Sequence, residues 1–199
     1  FRGSSIVASG GNSMRFGLFD YADGGTRVTA DGFGSGSTGN GNNVLGYMLV
    51  LNYGTSFNEN TPLTLYRRNV VDDSNLMGST GNFASLGAGP VGATLSGAPA
   101  FISETNYTLE MTVTRMSQTS TTVAASITGG GTNYTVSFTD TNSAYPRFDS
   151  FAIRPASLET TAANFIFSRL LVEVNSAAPP PAPLNISATG GNVTMSWSN

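Results

Sequence analysis

Tyr107-Thr108-Leu109-Glu110-Met111-Thr112-Val113-Thr114-Arg115 alternates apolar and polar side chains without a break. In a strand, successive side chains point to opposite faces. Tyr107, Leu109, Met111 and Val113 therefore share one face, and Thr108, Glu110, Thr112 and Thr114 share the other. A helix would scatter the same apolar residues around its circumference. β-Branched Thr and Val also favour a pleated surface. The stretch predicts a strand with one face on a core and the other in water.

Working outward, the same period continues. Residues 121–128 and 133–139 read as two further strands, joined by Gly129-Gly130-Gly131 as a hairpin turn. Residues 148–153 and 164–174 complete the set downstream. Upstream, residues 14–21 and 46–53 are apolar on both faces, which marks interior strands. Residues 63–68 follow Pro62, a residue confined to strand starts and edges. No segment carries a 3.6-residue period with helix caps. Residues 23–43, with seven Gly and three Asn, cannot be a core element. Residues 69–99 read as a long connection laid over one sheet.

After Val174 the composition changes. Residues 175–183 carry Pro179-Pro180-Pro181 and Pro183, a semi-rigid polyproline-like spacer. Residues 184–199 hold no charge and read as one hairpin about Gly190-Gly191. Ile186, Ala188, Val193, Met195 and Trp197 fall on one face. The expected architecture is all-β: an antiparallel β-sandwich of jelly-roll type over residues 1–174, a Pro-rich linker over 175–183 and a β-hairpin tail over 184–199.

Composition removes many chemistries. Of 199 residues, 90 are Gly, Ser, Thr or Asn, 21 are charged, and Lys, His and Cys are absent. That excludes a Ser-His-Asp triad, a Cys nucleophile, a Cys/His zinc site, a Schiff base and a P-loop. A net charge of −3 offers no basic footprint for nucleic acid. No run approaches the roughly 20 apolar residues of a membrane span. The Thr-rich, Lys-free composition points to an extracellular or cell-surface bacterial protein.

The remaining polar residues suggest two kinds of site. Tyr47, Tyr53 and Tyr66, with Asn52 and Arg68, combine aromatic faces for stacking with groups that bond sugar hydroxyls. The simpler reading is that Tyr47, Leu49, Leu51 and Tyr53 are the buried face of that strand. Asp20 with Asp23, and Asp72 with Asp73, are oxygen-rich pairs of the kind that bind Ca²⁺, although ordinary turn chemistry also places acids there. No cofactor is expected, a structural Ca²⁺ at these acids being the exception the residue types allow. The Glu residues at 59, 104, 110, 159 and 173 show no paired-carboxylate spacing for glycoside hydrolysis.

Through the runs at 14–21, 46–53, 63–68, 107–115, 148–153 and 165–174, residues 14–174 resemble the concanavalin A-like lectin/glucanase modules of secreted bacterial proteins. Hydrolases of that superfamily carry a Glu-x-Asp-x-x-Glu strand, and its alginate-lyase-like members use His and Tyr-x-Lys motifs. This chain has none of these, so the resemblance implies a binding or structural member and no enzyme. The run from Pro183-Leu184 to Trp197 is similar to the first two strands of a fibronectin type III-like domain, with Trp197 in the strand-B Trp place.

A two-stranded hairpin is marginal in water, so an apolar stripe of Ile186, Val193, Met195 and Trp197 needs a cover. Strand addition to a neighbouring copy supplies one and propagates head to tail. The expected function is a non-enzymatic extracellular structural or adhesion subunit that self-assembles through its terminal segment. The alternative is a carbohydrate-binding module of a secreted polysaccharide-degrading enzyme. Expected partners are further copies of the chain and surface or environmental glycans.

Overall fold

A computed structural model describes residues 1–6, 13–21, 44–53, 61–69, 76–77, 80–89, 101–142, 145, 147–156, 162–174, 184–189 and 192–197. Two compact units divide the chain, Phe1–Ser168 and Arg169–Asn199. Among the described residues there is no helix, and every strand pair is antiparallel.

Among the described residues the first unit holds ten strands: β1 (Arg2–Ser4), β2 (Ser13–Asp20), β3 (Leu45–Asn52), β4 (Leu63–Arg68), β5 (Phe83–Gly89), β6 (Thr108–Arg115), β7 (Thr121–Gly129), β8 (Thr132–Asp140), β9 (Ser150–Ala156) and β10 (Asn164–Ile166). They form a five-stranded sheet in the order β5-β4-β3-β2-β9, a three-stranded sheet β6-β7-β8 and the short pair β1-β10. β7 and β8 meet at Gly129 opposite Thr132, leaving Gly130 and Gly131 as a two-residue turn. Their φ values of 57° and 81° are the left-handed conformations such a hairpin turn requires.

One core lies between the two large sheets, giving a sandwich-like arrangement. Phe16, Leu49, Leu51, Leu63 and Leu65 of the five-stranded sheet join Val123, Ala125, Ile127 and Val136 of the three-stranded one. The layers approach closely beside β5. A Cβ at Gly87 would lie 1.9 Å from the Phe138 ring, so only glycine fits there. An aromatic group closes one part of this core. Phe1 stacks on Phe165 at 4.8 Å and on Tyr107 at 5.7 Å, with Tyr53 and Phe101 alongside. The Phe1 ammonium donates to the Tyr107 carbonyl at 2.7 Å, and burial lowers its pKa.

The opposite face of the five-stranded sheet has its own core. Phe19, Met48, Val50 and Ala152 are covered by Val44, Leu76, Met77 and Phe83. This explains why the sequences of β2 and β3 are apolar at consecutive positions. It also agrees with a chain segment laid over one sheet.

Several boundaries differ from the sequence expectation. β5 arises inside the stretch read as irregular, because Phe83 packs over Arg68 while Gly87 and Gly89 admit Phe138 and Val136. β1 was too short for periodicity to detect. The strand expected over 164–174 ends at Ile166, where its pairing with β1 runs out at Arg2.

The second unit contains residues 169–174 and a hairpin of β11 (Leu184–Thr189) and β12 (Asn192–Trp197). Its register pairs Leu184 with Trp197, Ile186 with Met195 and Ala188 with Val193. The expected hairpin is therefore formed, with these residues in register. The side-chain surroundings of Ile186, Val193, Met195 and Trp197 lie outside the described residues.

Candidate functional site

The residues expected to build a glycan surface do not share one. Tyr47 and Tyr53 point into the inter-sheet core, whereas Tyr66 packs on the outer-face core and Arg68 lies over Phe83 of that core. Tyr47, Tyr53 and Arg68 are fully buried. A sugar ring cannot stack on them, which corrects the expectation of an exposed aromatic platform. The physical reason is strand alternation, since Tyr47 and Tyr66 stand on β3 and β4 positions of opposite parity relative to the sheet. Asn52 serves the local chain instead, its Nδ2 donating to the Thr61 carbonyl and its amide to the Pro62 carbonyl.

Tyr47 belongs to a buried polar group. Its hydroxyl donates to Asp140 Oδ2 at 3.0 Å, and Arg67 lies 3.7 Å from Asp140 Oδ1. The Asn142 amide also donates to Asp140, at 2.9 Å, and Arg67 donates to the Asn142 carbonyl. Burial, followed by the Asp140 charge and hydrogen bond, raises the Tyr47 pKa to about 12. The Tyr145 hydroxyl donates to the Arg68 carbonyl at 2.5 Å. These contacts make the group a structural tie between β3, β4 and the end of β8, with Arg67 Nε left without a partner among the described residues.

Asp20 of the expected calcium-binding pair is buried and sits 3.2 Å from Arg147 Nε. Asp23, Asp72 and Asp73 lie outside the described residues. Among the described residues no three acidic side chains converge on a common point.

The outer face of the five-stranded sheet carries an arrangement that sequence reading missed. Arg15 on β2 and Arg154 on β9 are direct cross-strand partners. Their guanidinium groups converge on one acceptor, the Met77 carbonyl, at 2.5 Å from Arg15 and 3.0 Å from Arg154. Arg68 donates to the adjacent Leu76 carbonyl at 2.9 Å. Three arginines thus hold the Leu76-Met77 main chain over the sheet. The available signal was Arg15 itself, flanked by Met14 and Phe16 in a strand whose two faces are both apolar.

The three-stranded sheet offers a different surface. Glu110, Thr112, Ala124, Ser126, Thr135 and Ser137 line a shallow depression of about 300 Å³ on its outward face. Hydroxyls and one carboxylate can hydrogen-bond a ligand there, but these six residues supply no aromatic face. β6 is an edge strand of this sheet. In the second unit Leu170, Leu171, Val172 and Val174 are 58%, 55%, 58% and 92% exposed.

Comparison of the chain with protein-family models, curated proteins and solved structures finds no match in any of the three.

Proposed function

We propose that this chain is a non-enzymatic, extracellular structural module that associates with further copies of itself by β-strand addition. The observation that carries this reading is the exposed apolar run from Leu170 to Val174. Four of its five residues are large hydrophobics more than half exposed, and none is paired in a sheet. Burial of such side chains contributes about 1.5–3 kcal/mol each. β6 supplies an acceptor of matching character, an eight-residue edge strand whose Leu109, Met111 and Val113 are only half-buried. The paired strands β11 and β12 extend the donor side, since a two-stranded sheet leaves both outer edges open among the described residues. The absence of Lys, His and Cys supports a binding or structural role over covalent catalysis.

Light scattering across a wide concentration range tests this directly. The expected result is concentration-dependent association that is lost in a Leu170→Asp, Val172→Asp variant and in a chain lacking residues 184–199. A monomer that persists at the highest concentration overturns the proposal.

A further inference from the structure

Arg15 and Arg154 are an unusual cross-strand pair. Like charges directly opposite in an antiparallel sheet are destabilising, and strands ordinarily place an acid against a base. Here both guanidinium groups turn to the same carbonyl, so two positive charges are held side by side. Neither residue takes part in an ion pair with a described carboxylate. One carbonyl engages a single N–H of each group, whereas each guanidinium carries five donors. Arg15 Nε is buried without a hydrogen-bond partner among the described residues. Both side chains remain half-buried, neither sealed in the core nor free in solvent. Burial first, and then the Arg154 charge, lowers the Arg15 pKa, while the nearby Tyr66 opposes that shift.

We propose that Arg15 and Arg154 form an oxoanion-binding site on the outer face of the five-stranded sheet. Its ligand is a sulfate, phosphate or carboxylate group, bridged between the two guanidinium forks. Charge-assisted, forked contacts of this kind are what such groups select. The bound anion neutralises the like-charge pair and offers acceptors to guanidinium N–H groups that the Met77 carbonyl leaves unused. It lies beside the Met77 carbonyl, which both arginines already hold, so binding also firms the chain covering that face. The inference is independent of self-association, because it involves neither β6 nor residues 169–199.

Calorimetric titration and thermal unfolding of the full chain test it, with inorganic sulfate and phosphate compared against chloride at equal ionic strength. The expected result is saturable binding of sulfate or phosphate with a raised unfolding temperature. Arg154→Gln should weaken that binding about tenfold or more, and its anion-free form should unfold at an equal or higher temperature than the parent. Arg154→Lys keeps the charge without the fork and should also bind more weakly. A parallel titration with a sulfated and a uronic-acid oligosaccharide separates the two sources. Tighter binding than the free ion places the oxoanion on a glycan, and equal or weaker binding makes the free ion the ligand. A response to sulfate and phosphate no greater than to chloride overturns the site. So does an Arg154→Gln variant that retains full binding, or one that is destabilised while binding is unaffected, since the arginines would then serve only to hold Met77.

Discussion

β3 and β6 are both antiparallel strands of eight residues, yet their environments are nearly opposite. Six consecutive residues of β3 are buried, whereas no residue of β6 is. β3 is central in its sheet and covered on both faces, by the three-stranded sheet on one side and by Leu76, Met77 and Phe83 on the other. β6 lies at an edge, with one face on the core and one in water. Position within the layers therefore decides how much a given side chain contributes, more than its hydrophobicity does. Leu49 and Leu109 are the same residue on comparable strands, and only Leu49 is fully enclosed.

Substitution at those strands is the strongest way to break the contrast. Leu49→Ala should cost about 3 kcal/mol in denaturant unfolding, because it leaves a cavity enclosed on every side. A loss below about 1 kcal/mol would mean that β3 is not the packed centre. Gly87→Ala should cost about 1–3 kcal/mol by forcing Phe138 away and spreading the sheets that enclose β3. Met111→Ala on β6 should cost about 1 kcal/mol in the same measurement, since part of its side chain already meets solvent.

Alkaline titration probes the polar side of β3. The Tyr47 pKa is raised from 10.0 to about 12, so the folded state holds the proton more tightly than the unfolded chain does. Its contribution is complete below pH 10 and is lost as pH rises towards 12. Tyr21, raised to about 12 chiefly by burial, adds to the same decline. Unfolding midpoints should therefore fall between those limits, and less steeply in Tyr47→Phe. The smallest effect belongs to the wet face of β6, where Thr112→Ala should change stability by no more than about 0.5 kcal/mol.

Most strands were legible because period-two alternation is a local property. The hairpin of β7 and β8 was readable, but its turn is one residue tighter than the three glycines suggested: Gly129 pairs with Thr132, and only Gly130 and Gly131 turn the chain. β4 was found with its observed bounds. β5 was not, because Ser85, Ala88 and its two glycines carry no strong pattern, and its place depends on Phe138 arriving from β8. The glycan candidates failed for a related reason. Tyrosine suits a sugar surface and a buried core equally well, and Tyr47 finds its hydroxyl partner 93 residues away at Asp140. The Arg15–Arg154 pair was hidden by a separation across the chain that only the β2–β9 register closes.

The sequence by itself determined the secondary-structure class, the apolar face of β6, the two-faced character of β2 and β3, and the hairpin at residues 184–197, since each follows from spacing between near neighbours. Tertiary structure alone decided which face each tyrosine took, which strand lay at an edge, and which charges met. Those outcomes depend on residues far apart in the chain, and side-chain burial is set by what packs against a strand from outside it.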